Sequence, residues 1–408
     1  MSGAEPKTAL RPTTRLLHAG TPALRDGSGP VNVPVVRTST VRFANVQAHA
    51  DHHHRRAAGE RIATYGRHGL DTHRALEDAV LGLEGGHRAF LTPSGLSAIT
   101  LVLLALLKPG DHALVADSVY SPVRRVDATL LKGLGITLEY FSPSRDDLAA
   151  LIRPETRLLY LESPSSLLYE VLDLPALSAV AHARGVTVAV DNTWSGGWFY
   201  QPLSLGADIS IQAATKYLAG HSDVMQGVVV TGDARLSGVV GTAYEALGLT
   251  VGADDASLVL RGIRTLPVRL AQHQINATEV ALHLQSHAAV ERVFYPALPS
   301  HPGHALWKRD YSGASGLVSF SLAAGIDEKQ AEVFVDSLKL FGIGASWGGY
   351  ESLALIAAPE RLAEHSYYSQ PGVPVVRLHV GLEDSSDLLM DISQALMESE
   401  RQKCFDNH

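Results

Sequence analysis

Between residues 88 and 211 the chain repeats one pattern, and no other feature restricts its folding more. Short apolar runs at Arg88–Thr92, His112–Ala116, Ile136–Phe141, Arg157–Leu161, Val186–Val190 and Asp208–Ile211 read as strands. Between them lie helical stretches, among them Ser97–Leu107, Val123–Leu131, Asp146–Ile152 and Ala176–Ala183. Apolar strands separated by helices of roughly 10–15 residues predict a mostly parallel sheet covered on both faces. Such sheets bind ligands beyond the carboxyl ends of their strands. Tyr120, Glu162, Asp191 and the Ala213–Lys216 stretch each follow a strand-like run, so they are expected on one rim.

The texture changes further on. A helical pattern over Leu266–His287 precedes strand-like runs at Val290–Tyr295, Gly316–Leu322 and Val375–Val380, with a helical Lys329–Leu338 among them. That mixture predicts a second, α+β domain. At 408 residues the chain also exceeds the roughly 250–300 at which one core stops growing. Residues 1–66, rich in Pro, Gly, Arg and His, read as an extended arm that needs another surface. Residues 67–262 form the first domain and 263–408 the second. After Gly227–Thr231 the chain reads as a linker through Tyr244 towards Arg261.

A formal net charge of −8 and the lack of a long basic block argue against nucleic acid or an anionic membrane as partner. The one cysteine, Cys404, excludes an internal disulfide framework and a cysteine-based zinc site. The first twenty residues lack the apolar core of a secretory signal, and Ile99–Leu107 is shorter than the ~20 residues of a membrane helix. The expected location is the cytoplasm. His52-His53-His54 cannot share one face of a helix or strand, so a solvated loop without metal is expected there.

Chemistry concentrates in Val186–Gly227. Asp191 closes an apolar strand, and Lys216 follows another in a setting of alanine and glycine. A carboxylate and a lysine so placed suit pyridoxal phosphate: the lysine forms a Schiff base and the acid pairs with the pyridinium nitrogen. Asp191 reads equally as a cap on the Asn192-Thr193 turn. Ser94-Gly95-Leu96 leads into a helix whose N-terminus attracts phosphate, a signal shared by many strand–helix junctions. Thr64–Gly69 offers a phenol and a guanidinium, which suit either a phosphate clamp or a surface turn.

Several ordered blocks together resemble the cysteine/methionine-metabolism family of pyridoxal phosphate enzymes. They are Tyr65-Gly66-Arg67, Ser94-Gly95, Glu162-Ser163-Pro164, Asp191-Asn192-Thr193-Trp194, Ala214-Thr215-Lys216-Tyr217, Gly220-His221-Ser222-Asp223, Arg261–Leu266 and Arg377–Asp384. The resemblance implies an α/β fold of the aspartate aminotransferase type (fold type I), with pyridoxal 5'-phosphate as cofactor. It makes Lys216 the Schiff-base lysine, Asp191 the pyridinium partner and Tyr120 the residue stacked on the ring. Gly95, Leu96 and Thr215 would hold the phosphate, joined by Tyr65 and Arg67 from a neighbouring subunit. Arg377 would take the substrate α-carboxylate, with Ser166, Ser346, Trp347 and the partner chain's Tyr244 on the substrate side. The family also implies a homotetramer built from dimers that share active sites.

Members acting at the γ-carbon usually carry Ser-Leu-Gly-Gly, a Phe after Asp-Asn-Thr and a serine three residues before the lysine. This chain has Ser346-Trp347-Gly348-Gly349, Trp194 and Ala213, with Ser165-Ser166 where many relatives have Thr-Asn. These departures resemble the bacterial cystathionine beta-lyases and imply β-elimination of a sulfur amino acid. Another cysteine or cysteine-conjugate β-lyase, γ-lyase or γ-synthase chemistry, and an inactive cofactor-binding protein are the alternatives. A dinucleotide-binding fold would need a G-x-G-x-x-G turn after an early strand, and none is present. The Ser195-Gly196-Gly197 run is unusual in the family, so the substrate-side loop is expected to differ there.

Overall fold

The computed structural model describes residues 10–22, 24, 26–323, 327–368 and 373–406, with side chains as far as residue 401; Cys404 lies outside the described side chains. The first sheet has seven strands: β1 (Arg88–Thr92), β2 (His112–Ala116), β3 (Thr137–Phe141), β4 (Thr156–Glu162), β5 (Thr187–Asp191), β6 (Ile209–Gln212) and β7 (Gly227–Thr231). Their order is β1-β7-β6-β5-β4-β2-β3, and β7 alone runs antiparallel to its neighbours. Every residue of β2 and β7 is buried, which accounts for their unbroken apolar runs.

The chain moves from β2 outward to β3, then returns to the other side of β2 with β4, β5 and β6. The strand order therefore reverses between β2 and β4, where a crevice opens beyond the strand ends. Register places Glu162 opposite Asp191, and Asp191 opposite Ile211, so β4, β5 and β6 end in one row. Behind them the helix Gly95–Leu106 buries Ala98, Ile99, Leu101, Val102 and Leu103. Each large side chain among these contributes about 1.5–3 kcal/mol by leaving water, so the helix and its N-terminus are firmly seated.

The second sheet comprises β8 (Val290–Phe294), β9 (Leu317–Leu322), β10 (Gly342–Ile343), β11 (Leu353–Ile356) and β12 (Val375–His379), in the order β10-β11-β12-β9-β8. The helix Leu266–Ser286 precedes it, and one apolar core runs from the first sheet into this one. Among the described residues no helix is long and apolar enough to cross a membrane.

Three expectations are corrected. The stretch after β7 is no linker: it forms the helices Ala234–Ala246 and Ala253–Ile263, and Tyr244 lies within the first. The described part of the arm is not simply extended, because it contains the helices Pro12–His18 and Val46–Ala57. The histidines at 52–54 belong to the second of these, an exposed helix capped by Asn45, whose side chain accepts the Ala48 N–H at 2.8 Å. Asn45 supplies the start signal; the missing apolar periodicity hid the rest.

Candidate active site

A cavity of about 530 Å³ opens at the rim of the first sheet and is closed on its far side by loops of the second. Its walls include Gly95, Leu96, Tyr120, Ser166, Asp191, Trp194, Thr215, Lys216, Ser346, Trp347 and Arg377. Most side chains expected on one rim therefore meet in one place.

Asp191 is buried at the end of β5. Its Oδ1 accepts from the Thr193 N–H at 3.0 Å and the Thr193 hydroxyl at 2.5 Å, while the Ala213 N–H donates to that hydroxyl at 2.9 Å. One threonine thus ties the end of β5 to the turn carrying Lys216. Burial raises the Asp191 carboxyl, and the Thr193 bonds pull it back. A buried acid of this kind holds its charge best beside a cation, such as a protonated pyridine nitrogen.

The Lys216 amine donates to Ser346 Oγ at 2.7 Å and lies 5.2 Å from the centre of the Trp347 ring. Burial, then the Arg377 charge, lowers its pKa to about 8. A shift of that size leaves a useful fraction of free amine near neutrality. Arg377, on β12, donates to the carbonyls of Gly344, Ala345 and Ser346 at 3.0–3.2 Å, and its Nε has no partner. It is buried yet paired with no carboxylate among the described residues, as an anion receptor should be.

Ser94 caps the helix Gly95–Leu106, accepting the Ser97 N–H at 3.1 Å. The first N–H groups of that helix face the cavity, and Thr215 stands nearby with its hydroxyl bonded to Gln226. A Cβ on Gly95 would lie 2.6 Å from the Ala213 Cβ, so only glycine brings this helix so close to the lysine turn. A phosphate seat, a lysine of lowered pKa and a buried acid on adjacent strand ends fit pyridoxal phosphate.

Tyr65, Arg67 and Tyr244 stand apart. Tyr65 and Arg67 are exposed on the turn Gly66–His68, and Arg67 lines a separate small polar pocket with Tyr244. The Tyr244 hydroxyl donates to the Leu91 carbonyl at 2.8 Å. These three side chains do not reach this chain's own cavity. Asp223 is exposed.

Glu162 was expected on the rim without its partner, and the residues missed by sequence reasoning altogether come from distant segments. Glu162 accepts the Tyr120 N–H at 2.6 Å, bridging the crevice where strand order reverses. Its position after a strand was readable; its partner was not. Glu84 is buried behind the site, where Asn192 donates to both its oxygens at 3.1 and 3.2 Å, Ser210 to one at 3.0 Å, and Gln212 adds a further bond. Ser195 donates to Asn192 Oδ1 at 2.5 Å, and a Cβ on Gly197 would strike Gln212 and Glu84 at 2.5 and 2.6 Å. The unusual Ser195-Gly196-Gly197 run therefore packs its backbone on the Glu84 carboxyl and leaves Trp194 on the cavity wall. His379 Nε2 lies 3.0 Å from the Gly348 nitrogen and 3.1 Å from the Gly349 carbonyl, so either tautomer clasps the turn after Trp347. Arg361, on the helix Pro359–Ala363, and His365 just after it reach the cavity from the segment before β12.

The comparisons with known proteins follow the same geometry. A profile described as "Cys/Met metabolism PLP-dependent enzyme" matches residues 13–397. A cystathionine beta-lyase from Bordetella avium is 49% identical over 385 residues, covering 94% of this chain and 96% of the relative. A cystathionine beta-lyase from Escherichia coli is 40% identical over 386 residues, covering 93% and 96%. Among solved structures, cystathionine gamma synthase from Xanthomonas oryzae pv. oryzae in complex with cystathionine superposes with a TM-score of 0.87 at 35% identity, covering 97% of this chain and all of that one. With that coverage, the chain belongs to the Cys/Met metabolism PLP-dependent enzyme family.

Proposed function

We propose that the protein is a carbon–sulfur lyase that cleaves L-cystathionine by β-elimination to homocysteine, pyruvate and ammonia. The observation that carries this reading is the meeting of Lys216, Ser346, Trp347 and Asp191 in one cavity, in a chain with relatives 49% and 40% identical that are named cystathionine beta-lyase. Bound pyridoxal 5'-phosphate supplies the electron sink that makes the substrate Cα–H acidic.

The chain's own groups do the rest. Gly95, Leu96 and Thr215 would hold the cofactor's phosphate, Tyr120 would cover its ring and Asp191 would keep its ring nitrogen protonated. Arg377 fixes the α-carboxylate and so aims the Cα–H bond at the lysine. Lys216, whose amine is about half deprotonated near pH 8, takes the Cα proton while Ser346 orients it. The Cβ–S bond then breaks with its electron pair on sulfur, which leaves as the homocysteine thiolate. Water completes the release of pyruvate and ammonia. A γ-elimination needs a further proton transfer at Cβ, for which Trp347 offers no acid or base.

Tyr65 and Arg67 serve the cavity of a neighbouring copy in this reading, because they are exposed and turned away from their own. The working unit is a cytoplasmic homotetramer of dimers; residues 1–66 form the arm, 67–262 the cofactor domain and 263–408 the second domain. Product analysis with cystathionine tests the function. Homocysteine plus pyruvate is expected, whereas cysteine plus 2-oxobutyrate would refute the β-elimination. A protein that stays colourless with added pyridoxal phosphate would refute the proposed cofactor roles.

A further inference from the structure

Two guanidinium groups line the cavity, and neither faces a carboxylate among the described residues. Arg377 spends its hydrogen bonds on backbone carbonyls. Arg361, on the short helix Pro359–Ala363 at the mouth, is exposed, and among the described residues its side chain has no hydrogen bond or ion pair. Its neighbour Glu364 is already engaged by Arg124 at 3.3 Å. The Arg361 charge nevertheless reaches the site: burial raises the Tyr120 hydroxyl, and Arg361 is the first charge to oppose it. Arg361 also acts against the charge of Arg377. Among the described residues Lys216 has no carboxylate partner either; its amine donates to the Ser346 hydroxyl. The carboxylates of the cavity, Asp191 and Glu162, lie at the strand ends of the first sheet, and neither forms an ion pair with these groups. Two unpaired cations across one cavity repel each other, and that cost is removed when each receives an anion.

We propose that Arg361 receives a second carboxylate at the far end of the substrate, so that the cavity selects two-headed amino acids whose thioether chain ends in a carboxylate over simple S-alkyl cysteines. Arg377 holds the α-carboxylate beside the lysine, and the chain runs past Trp347 and Tyr120 to Arg361. The inference rests on the proposed lyase for its chemistry, though the anion preference can be measured without turnover.

The test compares S-(3-carboxypropyl)-L-cysteine, which keeps the distal carboxylate of cystathionine and lacks its distal amine, with S-butyl-L-cysteine. The ratio of their kcat/KM values is measured for the cofactor-loaded protein and for Arg361→Gln and Arg361→Lys. Arg361→Gln is expected to lower the ratio at least about ten-fold, equivalent to about 1.4 kcal/mol, mainly through KM for the carboxylate substrate; Arg361→Lys restores part of it. Calorimetric binding of both compounds to cofactor-loaded Lys216→Ala, with and without Arg361→Gln, reads the same ratio as Kd values. An unchanged ratio, or an equal loss on both compounds, overturns the proposal; the second result would give Arg361 a structural or subunit-pairing role. If cystathionine yields no homocysteine while the ratio still collapses, the lyase reading fails and this one stands. If cystathionine is cleaved and the ratio is unchanged, the reverse holds.

Discussion

Replacing Gly348 by alanine should disable the site without touching any side chain proposed to act on substrate. Gly348 has φ of +90°, and a Cβ there would lie 2.8 Å from the Lys216 carbonyl carbon, 2.8 Å from the Tyr217 nitrogen and 2.9 Å from the Lys216 Cα. These are backbone atoms, so no side-chain rotation relieves the contact. The left-handed backbone costs about 1–2 kcal/mol for a residue with a Cβ, and overpacking adds about 1–3 kcal/mol. The cheapest escape is for the turn to back away from Lys216. That movement breaks the Gly348–His379 contact and draws Ser346 Oγ off the amine it accepts from at 2.7 Å. The expected result is a loss of about 2–5 kcal/mol, divided between denaturant stability and kcat/KM for β-elimination, with kcat falling. Gly349→Ala is the control. Its Cβ meets the ends of the Ser222 and Glu351 side chains, which can rotate, and its φ is not positive. Its loss should be clearly smaller. Wild-type stability and activity in Gly348→Ala, or equal damage from Gly349→Ala, would refute this account of how the turn rests on the lysine.

Two further predictions follow from geometry already described. Burial pushes the Glu84 carboxyl up to about 8 against hydrogen bonds from Ser210 and Asn192, so the folded chain keeps a proton that the unfolded chain releases near 4.3. Stability should therefore fall as pH rises from about 4.5 towards 8; thermal melts of Glu84→Gln should lack that slope, and parallel pH profiles for the two proteins would contradict it. If Arg67 serves a neighbouring copy, Arg67→Ala and Lys216→Ala should each be nearly inactive alone. Mixed after subunit exchange, they should recover roughly a quarter of wild-type activity through half-intact pairs, and no recovery would place Arg67 at its own chain's site.

The first sheet was legible because its strands are apolar on both faces and end where glycine, proline or a polar cluster begins. β1 and β2 have the boundaries read from the sequence, and most of the others differ from theirs by a residue or two. The helix Ala234–Ala246 was not legible. It buries only Leu236, Ser237 and Val240, and Gly238 and Gly241 weaken its helical signal. Asp191 and Lys216 could be found because position after a strand is itself a functional signal. Glu84, His379 and Arg361 could not, since each acts on a segment more than a hundred residues away or, for His379, across a turn whose shape only the fold defines. A buried carboxyl at the end of a helix looks the same in sequence as an exposed one.

The register that sets Glu162, Asp191 and Ile211 side by side has a consequence for how such a protein can change over time. Strands in a sheet lie about 4.8 Å apart, so the spacing between the acid and the lysine turn is inherited from backbone hydrogen bonds. Mutation of surface loops cannot stretch it. The groups facing the other end of the ligand arrive from the second sheet and its turns: Ser346, Trp347, Arg361 and Arg377. Away from the Gly348 contact with Lys216, those segments can exchange residues while the acid and the lysine turn stay at a fixed gauge. Substrate range is therefore free to drift on one side of the cavity while the proton-transfer geometry on the other is conserved by the sheet itself.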